Sequence, residues 1–146
     1  MIVKVFPGCE KLGLCGISME TALKSTDKAK MIEAFRQHGV SHPWYFVAEN
    51  KKAFDQLKKK VRYPCIIKPT DSSGSRGVVL IKNEEELESS YEYTYSSSRN
   101  GAVIIEEYLA GPEVSVEVTC APSGAQSSHV VLARPAGLAP LAAESS

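Results

Sequence analysis

Residues 63–81, YPCIIKPTDSSGSRGVVLI, decide how this chain reads. Cys65, Ile66 and Ile67 form an apolar run that ends on Lys68, and a second apolar run occupies residues 78–81. Both read as strands. The segment between them holds Asp71, Ser72, Ser73, Gly74, Ser75, Arg76 and Gly77, far more than a tight hairpin needs. A charge at the end of a buried strand is unfavourable unless water or an opposite charge meets it. Lys68 therefore has a bland reading, snorkelling to solvent or pairing with Asp71, and a functional one, contact with a bound anion. The loop favours the second. Glycine allows positive φ and close backbone approach, serine hydroxyls donate, and successive N–H groups converge on an anion. The pattern is neither G-x-x-x-x-G-K-[ST] nor G-x-G-x-x-G.

On the N-terminal side, Ser25, Thr26 or Asp27 can cap a helix in which Met31, Ile32 and Phe35 recur at helical spacing and Gly39 supplies the stop. Pro43 keeps residue 42 extended, so HPWYFVA reads as a strand-like approach. Residues 51–60 predict a second helix with Phe54, Leu57 and Val61 as its apolar stripe and lysines on the solvated face. On the C-terminal side, Asn83 and Glu86 resemble a capping box, and Leu87, Tyr91 and Tyr95 continue a buried face at i, i+4 spacing. SSSRNG is a turn, AVIIEEYL a strand with a polar end, AGP a bend. EVSVEVT alternates, with Val114, Val116 and Val118 on one face. MIVKVF is compatible with a short strand and METALKS with a helix fragment.

The 146 residues carry 17 basic and 17 acidic side chains, so no whole-chain field points to nucleic acid or an anionic membrane. The lysine face of residues 51–60 has no interleaved aromatics of the kind that stack bases, since Phe54 lies on the apolar stripe. No apolar run is long enough to span a bilayer. Cys9, Cys15, Cys65 and Cys120 lack Cys-x-x-Cys spacing and predict free thiols in a reducing compartment, hence a cytoplasmic protein. From residue 120 onward Ala, Ser, Pro and Gly dominate, which predicts a low-complexity or non-native tail; VVLA within it can still pair as an edge strand.

The order of parts is strand, lysine, Gly/Ser loop, strand, helix, strand, Glu106–Glu107, bend, Glu113. Such a set supplies what a nucleotide requires: cations and N–H donors for phosphates, and carboxylates for ribose hydroxyls and the adenine amine. In this order TDKAKMIEAFRQHGV, YPCIIKPTDSSGSRGVVLI and AVIIEEYLAGPEVSVEV resemble the ATP-grasp superfamily over about residues 12–118. The group is that of carbamoyl-phosphate synthetase large chains, biotin carboxylase, glycinamide ribonucleotide synthetase and amino-acid ligases. LGLCGISMETALKSTDKAKM resembles the family's lead-in from a preceding domain.

The resemblance implies an α+β (α/β-like) fold: the ATP-grasp N-terminal lobe, with a small antiparallel or mixed sheet, two to three helices and the start of the second lobe. The implied division is a lead-in over 1–25, the lobe over 26–112, the first strand of a truncated second lobe over 113–119 and the tail over 120–146. It further implies Lys28 on the phosphates of ATP, Lys68 on the α- and β-phosphates and the adenine side, and Ser72, Ser73 and Gly74 in a mobile loop over the β- and γ-phosphates. Glu106 is implied on the adenine amine, Tyr108 and Leu109 as hinge backbone along the adenine edge, and Glu113 on the ribose hydroxyls. Glu107 sits where relatives place a lysine or an acid. A flexible loop opens for ATP and then excludes water from the phosphates.

The family's E-x-N magnesium ligands, which lie well after the ribose carboxylate together with a catalytic arginine, do not occur after Glu113, so no metal ligand is expected in this chain and Mg2+ is expected to bind residues further along a longer enzyme. The implied parent is an ADP-forming ligase. It activates a small carboxylate or bicarbonate as an acyl phosphate for attack by an amine, and this chain is expected to be an inactive piece of it. The competing expectation is a regulatory or interaction module derived from such a lobe. The unpaired edge of EVSVEVT predicts self-association into a homodimer.

Overall fold

The structure, a computed structural model, describes residues 12–13, 16–112, 114–121 and 124–132. The chain divides into two units, Met1–Tyr108 and Leu109–Ser146.

The described elements of the first unit are α1 (Met19–Thr26), α2 (Lys28–Gln37), β1 (Tyr45–Ala48), α3 (Lys51–Leu57) with a 3₁₀ turn at Lys58–Lys60, β2 (Cys65–Pro69), β3 (Val79–Ile81), α4 (Glu84–Ser96) and β4 (Val103–Glu107). The strands make one antiparallel sheet in the order β1-β4-β2-β3. The architecture is α+β, as the resemblance implies, and the sheet is antiparallel rather than mixed. Three of the helices lie in the expected lobe, and α1 adds a helix over the METALKS fragment.

Strand alternation decides the two faces. In β2, Cys65, Ile67 and Pro69 are buried and Ile66 and Lys68 half-buried. The register carries this across the sheet. Cys65 and Ile67 stand beside Ile81 and Ile105 and in line with Val103 and Ala48, on the face that α3 and α4 cover. Phe54 from α3 and Leu87 and Tyr91 from α4 are buried in this core, with the Phe54 and Tyr91 rings 4.1 Å apart. Each such side chain contributes ~1.5–3 kcal/mol through removal of apolar surface from water.

Local signals start the helices where they were expected to, and the helix expected over 51–60 ends at Leu57 and tightens into the 3₁₀ turn. Asn83 Oδ1 accepts from the Glu86 N–H at 2.9 Å, and Glu86 Oε2 accepts from the Lys82 N–H at 2.8 Å, one residue before the position an ideal capping box uses. Three glutamates in the first turn of α4 add a favourable charge at the helix N-terminus. Helix α2 departs from its predicted face. Ile32 is buried, but Met31 and Phe35 are each 37% exposed, because only one line of α2 is packed in the described structure.

In the second unit, β5 (Val114–Ala121) pairs with β6 (Gly124–Leu132) as an antiparallel hairpin, with an irregularity between Thr119 and Cys120. The stretch expected as a tail therefore begins with a strand, longer than the VVLA segment. Backbone hydrogen bonding to β5 supports a strand whatever the side chains are, so an Ala/Ser-rich composition does not forbid one. MIVKVF and residues 133–146 lie outside the described residues. No helix among the described residues is long and apolar enough to cross a membrane. Cys65 is a buried free thiol whose pKa burial pushes up to about 12.

Candidate functional site

The sheet register puts Ile66 opposite Glu106 and Lys68 opposite Ile104 on paired strands. Register partners share a face, so Lys68 and Glu106 both stand on the side away from the core. Their charged groups form an ion pair, with side chains 21% and 15% exposed. The alternative pairing of Lys68 with Asp71 is not made.

Lys28 reaches the same region from α2. Asp27 caps that helix, its Oδ1 accepting from the N–H groups of Ala29 and Lys30 at 2.9 and 3.1 Å. The Lys28 backbone N–H donates to the Thr70 carbonyl at 2.8 Å, which binds the start of α2 to the end of β2. Lys28 Nζ donates to the Ser72 carbonyl at 2.6 Å. The pKa of Lys28 lies below its ordinary value, first because burial penalises the ammonium and next because the Lys68 ammonium is near. Asp71, Asp27 and Glu106 oppose that shift.

The loop from Asp71 to Gly77 is fixed at both ends and exposed at its tip, Ser73–Arg76. At the first end, Asp71 Oδ1 accepts from Ser98 Oγ and the Arg99 N–H, both at 3.1 Å, and Oδ2 accepts from the Asn100 N–H at 2.9 Å. At the other, the Gly77 carbonyl accepts from buried Thr94 Oγ1 at 3.0 Å. Gly77 has φ +73, and a Cβ there would lie 2.7 Å from Ser97 Cβ and 2.8 Å from Pro69 Cγ. Ser75 at the tip also adopts positive φ, at 58°.

Of the remaining expected residues, Ser72 presents its carbonyl to Lys28, and Ser73 and Gly74 lie in the exposed tip. Tyr108 follows β4 and is 37% exposed. Leu109 belongs to the second unit and is exposed. Glu113 lies outside the described residues. Glu107 does not join Lys68 and Glu106. It is the next residue on the strand and stands opposite Cys65, on the other face, where its Oε2 accepts from the Trp44 N–H at 3.4 Å.

Sequence reasoning missed the polar network behind these residues. Asn100, read only as part of a turn, bonds to Asp27, Thr70, Ser98 and Ala102. Thr70 is fully buried. Tyr45 Oη donates to Glu33 Oε2 at 2.8 Å, and with Arg36 this holds the Glu33 carboxyl down to about 2. An open groove of about 680 Å³ runs past Asp27, Lys30, Glu33, Tyr45 and Asn100; none of Lys28, Lys68 and Glu106 lines it. Among the described residues, no group of three or more His, Cys, Asp or Glu side chains is arranged to hold a metal ion.

Against known proteins, a family model described as the ATP-grasp domain matches residues 25–134. A formate-dependent phosphoribosylglycinamide formyltransferase of Bacteroides thetaiotaomicron is 36% identical over 107 residues, covering 68% of this chain and 27% of its own. A D-alanine--D-alanine ligase of Bacillus velezensis is 31% identical over 99 residues, covering 63% and 27%. The chain thus spans about a quarter of the length of these curated relatives. Among solved structures, VanG D-Ala:D-Ser ligase from Enterococcus faecalis aligns with TM-score 0.73 at 21% identity, over 88% of this chain and 37% of that one. An ADP complex of N5-carboxyaminoimidazole ribonucleotide synthetase aligns with TM-score 0.71 at 18% identity, over 88% and 33%. The structural likenesses speak for the fold.

Proposed function

The chain belongs to the ATP-grasp family, and from that premise we propose that its first unit binds ATP on the sheet face that carries Lys68 and Glu106. Lys28 and Lys68 hold the phosphates. Glu106 accepts from the adenine amine. Ser72, Ser73 and Gly74 close over the β- and γ-phosphates, with N–H and hydroxyl donors at a loop whose ends are fixed. Tyr108 offers backbone to the adenine edge, and the family pattern assigns Leu109 to the same edge and Glu113 to the ribose hydroxyls. The Glu107 side chain has no part in this site, because it faces the other side of the sheet.

The observation that carries the reading is the meeting of two ammonium groups, a carboxylate and a glycine-serine loop around one strand end. Two like charges close together in a partly buried place favour an anionic ligand. The Lys68–Glu106 pair sets a cationic donor beside a carboxylate acceptor, the two kinds of group that a phosphate and an adenine amine require.

The parent activity is an ADP-forming carboxylate–amine ligation. Formate and D-alanine, in the names of two relatives, are both carboxylic acids, which supports a carboxylate as the activated substrate. Magnesium, which the family implies, supplies charge neutralisation at the transferred phosphoryl group. Its ligands are assigned, from the family's E-x-N pattern, to residues further along a longer enzyme. The second unit supports self-association, since Val114 and Val116 are each 53% exposed on β5.

Calorimetric titration of this chain with ATP tests the site. Lys68→Ala is expected to weaken binding about tenfold or more, the scale of a lost charge-assisted contact. Equal affinity of the two proteins overturns the assignment.

A further inference from the structure

We propose that Asn100 is a positioning residue for the phosphate side of this site, its carboxamide setting where Lys28 stands relative to Lys68 while its backbone N–H holds the stem of the 71–77 loop. The inference rests on the nucleotide reading above. It gives a role to a side chain that no sequence motif marks.

One residue ties three elements together. Its Nδ2 donates to Asp27 Oδ2 at 3.1 Å and approaches Thr70 Oγ1 at 2.9 Å. Its Oδ1 accepts from the Ala102 N–H at 3.1 Å and from Ser98 Oγ at 2.7 Å. Its backbone N–H donates to Asp71 Oδ2 at 2.9 Å. Asp27 is the cap of the helix that begins with Lys28. Thr70 lies two residues beyond Lys68 and accepts the Lys28 N–H through its carbonyl. Asp71 opens the loop. Lys28, the end of the Lys68 strand and the loop stem are therefore all one or two bonds from the same residue.

The chemistry of the partners selects an amide. On one side stand a backbone N–H and a hydroxyl, which need an acceptor. On the other stands the Asp27 carboxylate, which needs a donor. Aspartate at this position would face both Asp27 and Asp71 as a like charge, and a short aliphatic side chain would reach neither. The geometry matters because Lys28 and Lys68 repel each other, and a displacement of about 1 Å in such a group is enough to lower function strongly. Asn100 is itself exposed and outside the hydrophobic core, so its replacement opens no cavity among the core side chains.

Four proteins test the proposal: the unaltered chain, Asn100→Asp, Asp27→Asn and the double variant that exchanges the two. Asn100→Asp keeps the acceptor for Ala102 and Ser98 but loses the donor to Asp27. The exchange restores a donor–acceptor pair, keeps the net charge, and retains a good helix cap, since asparagine caps as well as aspartate. The measurements are dissociation constants for ATP and for adenosine, with thermal melting of each protein. Asn100→Asp is expected to bind ATP about tenfold more weakly and adenosine within about twofold of the unaltered chain, and the exchange to recover most of the ATP loss. Asn100→Ala, which adds no charge, is expected to show the same selective loss, and it stands in if Asn100→Asp does not fold. ATP affinity untouched in both variants overturns the proposal. So does an equal loss for ATP and adenosine, which is the mark of a purely structural residue, or an exchange that recovers nothing. An unaltered chain that binds neither ATP nor adenosine overturns the nucleotide reading itself, a distinct result from any of these.

Discussion

Glu106 and Glu107 are neighbours in the chain and face opposite sides of the sheet: Glu106 pairs with Lys68, whereas Glu107 accepts from the backbone of Trp44. Two adjacent carboxylates at a strand end invite a reading as a functional pair. The pleat separates them, and only one stands with the two lysines.

The separation predicts unequal mutants. Glu106→Gln is expected to weaken ATP binding by about tenfold, since it removes a charged acceptor. Glu107→Gln is expected to leave ATP affinity within about twofold, because its side chain faces the other side of the sheet and its partner there is a backbone N–H. Calorimetry on the two variants checks this, and a larger effect at Glu107 contradicts the placement.

The loop glycines also separate. Gly77→Ala sets a methyl group 2.7 Å from Ser97 Cβ at a positive φ, and its carbonyl holds Thr94. The expected loss of stability is about 2–4 kcal/mol, from overpacking and backbone strain together. Gly74 has φ +70 with open space around it, so Gly74→Ala is expected to lose only about 1 kcal/mol. Urea unfolding of the two variants gives both numbers.

Lys28 predicts a pH dependence. Its pKa is lowered from 10.5, with burial as the first cause. In the interval between the lowered value and 10.5 the unfolded chain binds more protons than the folded one. Its contribution to stability therefore rises with pH through that interval. A bound triphosphate favours the ammonium and raises the pKa. ATP binding in the same interval is expected to take up a proton and to weaken as pH increases, which titration in buffers of different ionisation enthalpy reads directly. Lys28→Met is expected to abolish the uptake.

The exposed valines of β5 predict concentration-dependent self-association of the isolated chain. Val116→Lys, which puts a charge on the strand, is expected to shift the chain toward monomer. Sedimentation velocity over a concentration series measures it, and a monomer throughout for the unaltered chain contradicts the prediction.

Much of the first unit was legible because its signals are local. Asn83 and Glu86 lie within one helical turn, and Leu87, Tyr91 and Tyr95 recur at a spacing that only a helix turns to one side. The apolar strand ending on Lys68 was legible for the same reason. Asn100 was not, because its partners Asp27 and Thr70 are distant in the chain and carry no pattern that links them. The exposure of Met31 and Phe35 was hidden too, since helical spacing shows that a face exists but not how much of it is covered. Composition alone pointed away from a strand at Gly124–Leu132, where backbone pairing with β5 is what defines the element.

Fastening Asp71 to the 98–100 turn and Gly77 to Thr94 makes the intervening segment a short leash rather than a free flap. With consecutive Cα atoms about 3.8 Å apart, an arch between those posts rises no more than about 10 Å. Such a leash spans a phosphate or two and falls short of the base and sugar. Whatever shelters those parts of a nucleotide has to come from elsewhere in the protein, and lengthening the leash by inserted glycines would trade a well-aimed cover for a slack one.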